Sequence, residues 1–120
     1  MEPILEAISE ALARAGEKQV FYGIAFDAGM KRAAPWNYTV YSRARIDQSA
    51  NKTGVTRLYT VAVTREDYLP EEVLNRVTEE LEAIPGTRIS GGIEYDYALN
   101  PGTGHPVEQA IITIAKAEKR

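Results

Sequence analysis

A chain of 120 residues that is 44% apolar and 26% charged has the make-up of a single globular domain, not of a disordered tail or a membrane span. Its 14 Lys and Arg against 17 Asp and Glu, a net charge of −3, run counter to the basic footprint of a nucleic-acid binder and favour protein partners. The absence of cysteine excludes thiol catalysis, disulfides and thiolate metal sites, and the lack of a basic-then-apolar N-terminus reads as an untargeted, soluble, intracellular protein.

From Ile4 to Ala13, apolar Ile4, Leu5, Ile8, Leu12 and Ala13 recur at three- and four-residue spacing between Glu6, Glu10 and Arg14, the pattern of an amphipathic helix. Gly16 ends it. Gln19 to Phe26, rich in aromatic and β-branched residues, reads as a first strand, and Asp27 to Pro35 as a loop. Trp36 to Ile46 alternates, and the even positions Trp36, Tyr38, Val40, Ala44 and Ile46 are the expected packed face, with Asn37, Thr39, Arg43 and Arg45 outward.

A polar run from Asp47 to Gly54 then separates this strand from Thr56 to Thr64, so the two are expected to form a hairpin whose long tip is a candidate contact loop. Pro70 suits the first position of a second helix, with Glu71 and Glu72 at its positive end. Val73, Leu74, Val77, Leu81 and Ile84 trace its apolar face up to Pro85-Gly86. Arg88 to Tyr97 reads as one strand with a bulge or close backbone approach at Gly91-Gly92. After the loop Asn100 to Pro106, Val107 to Lys116 is the last strand. The order αβββαββ, lacking alternating βα units, predicts an α+β domain: a mainly antiparallel sheet with two helices on one face.

Chemistry is sparse in this pattern. The one histidine, His105, lies between Gly104 and Pro106 with no second histidine to share a metal or complete a triad. The pairs Glu71-Glu72, Glu79-Glu80 and Glu94-Asp96 read as solvated surface, and the glycine runs at Ser90 to Gly92 and Asn100 to Gly104 as turns, since no helix with a phosphate-binding lysine follows. No catalytic, cofactor-binding or metal-ligating residue is assigned, no cofactor is expected, and the chain is read as a non-enzyme. What the seven tyrosines and the strand edges offer instead is adhesion to other chains.

Taken whole, the chain resembles the small tail-terminator and tail-completion (head-to-tail joining) proteins of long-tailed bacteriophages and prophages. The resemblance rests on the N-terminal helix, Val20-Phe21-Tyr22-Gly23, Trp36 to Tyr41, Thr56 to Val63, the helix from Leu69 to Gly86, Gly92 to Tyr97 and the closing strand. It implies a structural protein that forms a ring, often a hexamer, on the tail tube or head connector, first in the host cytoplasm and then in the virion tail, without nucleic-acid or membrane partners. Two other readings stand beside it. One is a small-molecule-binding or enzymatic α+β domain with a pocket using Trp36, Tyr38 or Tyr95; the other is an RNA-binding sheet using Arg43, Arg45 and Tyr41.

Overall fold

The computed structural model of the protein describes residues 2–23, 36–48 and 53–119. Two helices, α1 (Pro3–Arg14) and α2 (Glu71–Glu82), pack against a six-stranded sheet of β1 (Val20–Tyr22), β2 (Tyr38–Gln48), β3 (Gly54–Glu66), β4 (Thr87–Ile89), β5 (Glu94–Leu99) and β6 (Pro106–Lys119). The spatial order is β1-β2-β3-β6, with β4 and β5 following one another along the far side of β6. Among the described strands only β1, parallel to β2, breaks the antiparallel pairing. The expected α+β class, mainly antiparallel sheet and helix layer are therefore what the chain adopts.

Helix α1 starts with Pro3 in its first turn, where a missing N–H costs nothing. It stops at Gly16, whose φ of +94° is open to glycine and strained for other residues. There Gly16 N–H donates to the Ala13 carbonyl and Glu17 N–H to that of Leu12, each at 3.0 Å, the paired bonds of a Schellman end. Its buried stripe is Ile4, Leu5, Ile8, Ala11 and Leu12; Ala13, expected inside, is exposed. Helix α2 buries Val73, Leu74, Val77 and Leu81 as the spacing predicts, with Ile84 just beyond, but Pro70 serves as N-cap, outside the first helical position.

Beneath both helices lie rows of side chains in register: Thr39, Val63 and Ala110 in one, Tyr41, Val61 and Ile112 in the next, Tyr59 and Ile114 in a third. All are buried and all but Thr39 belong to a single apolar cluster with the helix stripes. Each such Val, Leu or Ile withdrawn from water contributes roughly 1.5–3 kcal/mol.

The expected face of the second strand is reversed. Thr39 and Tyr41 point to the helices and are buried, whereas Tyr38 and Val40 lie half-covered on the opposite side. The inversion has a polar cause: the Thr39 hydroxyl donates to the Glu17 carboxylate at 2.5 Å, so an alternation judged on apolarity alone puts this threonine outside. Farther along, a β-bulge between Arg43 and Arg45 shifts the register, and Ala44 and Ile46, also expected inside, are exposed where the strand runs past the helices.

The hairpin forms, with β2 continuing to Gln48 and β3 starting at Gly54; the rest of the predicted tip, 49–52, lies outside the described residues, as do the loop over 27–35 and the last part of the predicted first strand, 24–26. The predicted strand Arg88 to Tyr97 is two strands, so the order is αβββαβββ. Thr87 faces Lys116 and Glu94 faces Ile111, so seven steps along the edge match five along β6 and two residues are extra. Gly91, at φ +71°, and Gly92 absorb them. No atom lies within 4 Å of a Cβ built on either, which makes the feature a bulge and not a close approach.

Candidate functional site

The residues singled out for chemistry are dispersed. His105 Nδ1 lies 2.9 Å from Asp67 Oδ1, both side chains being largely exposed on a loop. Glu71, Glu72, Glu79, Glu94 and Asp96 are exposed and Glu80 ion-pairs with Arg14 at 2.8 Å. Among the described residues no group of three or more His, Asp or Glu side chains is placed to hold a metal ion.

The RNA platform is not assembled. Tyr41 is inside the core, against Tyr22 at a ring separation of 5.4 Å. Arg43 pairs with Glu2 at 3.3 Å, and Arg45 pairs with Asp47 at 3.1 Å from the other side of the bulge. Arg57 pairs with Glu118 at 2.9 Å, and that hydrogen bond holds the Glu118 carboxyl below its ordinary range. A hollow of about 340 Å³ lies at the bulge among these arginines, Leu58 and Tyr59, but each guanidinium is already neutralised.

The ligand pocket of Trp36, Tyr38 and Tyr95 is not assembled either. Trp36 and Tyr38 share a shallow hollow of about 110 Å³ with Thr64, Gln109, Asp96 and Ala98 on the side of the sheet away from the helices. Tyr95, opposite Ala110 in register, projects from the helix side, since residues paired across a sheet share a face.

What the fold does present is a sheet with an aromatic free margin. No described strand pairs with the other side of β5. Every residue of β5 is exposed, including Tyr95, Tyr97 and Leu99, which alternate onto one face and stand 47%, 62% and 64% exposed. Tyr68, at the entry to α2, is as exposed as these. On the side away from the helices, the central strands show Val40, Ala62 and Ile111 only half-buried, and none of the described helices or strands covers them.

The margin is held in shape by a buried carboxylate. Glu108 accepts from the Leu69 backbone N–H at 2.7 Å and from the Tyr97 hydroxyl at 2.6 Å, tying the α2 entry and β5 to β6. The bond to Glu108 raises the Tyr97 phenol above its ordinary range, because losing the proton would set a phenolate against a carboxylate. Next to it, Glu66 accepts from the Asn100 side-chain amide at 2.9 Å and the Thr103 hydroxyl at 2.8 Å, fixing the loop between β5 and β6. Sequence reasoning found the tyrosines but not Glu108, which sits in a β-branched run and carries no motif.

No protein-family model matches the chain, and no curated protein matches it in sequence. Among solved structures, the chain is similar to the type 4 fimbrial biogenesis protein PilO of Pseudomonas aeruginosa, with a TM-score of 0.52 at 10% identity over 98% of this chain and 67% of that one. At that identity the likeness is one of fold. It overturns the resemblance to phage tail-terminator and tail-completion proteins: the neighbour belongs to fimbrial biogenesis, and the tail-tube role and virion location are withdrawn with it. The misreading has a plain cause, since a helix, a hairpin, a second helix and closing strands describe any α+β layer of this size.

Proposed function

We propose that this chain is a non-catalytic assembly domain that docks protein chains, copies of itself among them, along the margin and open face of its sheet. The observation that carries the reading is the exposed stripe of Tyr95, Tyr97 and Leu99 on an unpaired edge strand. Strand edges with free backbone groups recruit other chains, and tyrosine supplies wide contact area at small entropic cost. The acidic balance and the dispersal of His105 and the carboxylates point the same way. The fold shared with a fimbrial biogenesis protein supports a place in a multi-protein assembly of that general kind.

The test is light scattering on the purified protein from micromolar to near-millimolar concentration. The reading expects a mass that rises above the 13.3 kDa of one chain. A constant single-chain mass throughout overturns it.

A further inference from the structure

We propose that two copies of the chain join β5 to β5 across a two-fold axis at Tyr97, extending the sheet from one molecule into the next. The inference rests on the assembly reading above and specifies its surface and its occupant. It begins with the direction of the backbone. Tyr97 N–H donates to the Asp96 side chain at 2.9 Å, while Asn100 N–H donates to the His105 carbonyl across the turn to β6. In an antiparallel strand the N–H and C=O of one residue point to the same side, and alternate residues point to opposite sides. Tyr95, Tyr97 and Leu99 therefore present their backbone groups to the free edge, and Glu94, Asp96 and Ala98 present theirs to β6.

A second β5 running antiparallel can meet these outward groups in several registers, and charge selects among them. With Tyr95 opposite itself, Glu94 falls across from Asp96; with the axis at Asp96, that carboxylate falls across from its own copy. Both set like charges directly opposite, which is destabilising. With the axis at Tyr97, Tyr97 meets Tyr97, Tyr95 meets Leu99, Asp96 meets Ala98 and Glu94 meets Asn100. No like charges oppose, all three outward residues bond, and the exposed stripe becomes one continuous aromatic and apolar surface across both copies. Registers moved farther toward Leu99 leave Tyr95 without a partner. The Asp96 carboxylate now capping Tyr97 N–H gives way to a backbone carbonyl of the second copy. A short margin of this type is isologous and closes at two copies. The other sheet edge, the three-residue β1, is too short to offer an equal ladder.

The chain contains no cysteine, so a single introduced thiol reports its own neighbour. Tyr97→Cys places two Cα atoms at about 5.5 Å across the axis, within disulfide reach. Under mild oxidation it is expected to run mainly as a covalent dimer on a non-reducing gel, at least tenfold faster than Asp96→Cys, whose opposite residue is Ala98. Tyr95→Pro, which removes an outward N–H and leaves the β6 ladder intact, is expected to weaken self-association at least tenfold in sedimentation, with circular dichroism confirming the fold. Self-association of the unmodified chain without preferential Tyr97→Cys cross-linking overturns this inference and leaves the assembly reading standing. A chain that stays monomeric and cross-links at no position overturns both.

Discussion

One guanidinium nitrogen of Arg65 lies 2.8 and 2.7 Å from the two carboxylate oxygens of Glu17, which also accepts the Thr39 hydroxyl. The pair joins the segment after α1 to the central strand β3, and the Glu17 side chain is almost wholly withdrawn from water. Two buried ions rarely add net stability over an apolar pair, yet stranding one of them is costly. Arg65→Met is therefore expected to destabilise by about 3–5 kcal/mol. The double variant Glu17→Leu with Arg65→Met should recover most of that loss, as measured by urea unfolding in a double-mutant cycle.

Tyr59 is 1% exposed and, among the described residues, its hydroxyl meets no partner in full hydrogen-bond geometry, the nearby Glu2 carboxylate making only a weak contact. Burial pushes its phenol up, with the negative Glu2 nearby adding to the effect by charge. A buried hydroxyl without a bond costs about 1–3 kcal/mol, so Tyr59→Phe is expected to raise the unfolding free energy, by about 1 kcal/mol. Thermal unfolding checks it, and a loss of stability would show that the hydroxyl is bonded in solution.

Glu108 bears on the pH response of the margin. The folded state raises the Tyr97 phenol above its ordinary value of about 10, so the contribution of the Tyr97–Glu108 bond is complete below that value and is lost as pH rises through the raised one. Stability should fall on the alkaline side, above about pH 10, and Glu108→Gln should bring the phenol back toward its ordinary range in an ultraviolet titration. The same variant should speed hydrogen exchange at the Leu69 amide, whose acceptor is that carboxylate.

Gly16 gives a backbone prediction. Its left-handed conformation permits the end of α1, and nothing surrounds the site where a Cβ would stand. Gly16→Ala therefore tests conformation without crowding, and a loss of about 1 kcal/mol in unfolding free energy is expected.

The helices were legible in the sequence because three- and four-residue spacing of Ile8, Leu12, Val77 and Leu81 directly encodes burial. Class and layer arrangement followed from the element order. The orientation of β2 was not legible: its inward residues are a threonine satisfied by Glu17 and a tyrosine, and its outward ones include Val40, so side-chain polarity pointed the wrong way. Breaking the edge into β4 and β5 needed the pairing on β6, which no local pattern contains. At the candidate interface, the tyrosines were visible as residues but not as a stripe, because exposure of Tyr95 and Tyr97 depends on β5 lying at the margin of the sheet, paired on one side to β6. Family resemblance failed for a different reason, since element order alone does not distinguish unrelated assemblies.

Hydrogen exchange followed amide by amide at low and high protein concentration tests the central claim most directly, because it detects docking and locates it at once. Slower exchange at high concentration is expected at the outward amides of Tyr95, Tyr97 and Leu99, with α1 and the loop from Asn100 to His105 unchanged. Exchange rates that are the same at every concentration throughout the chain would contradict the account.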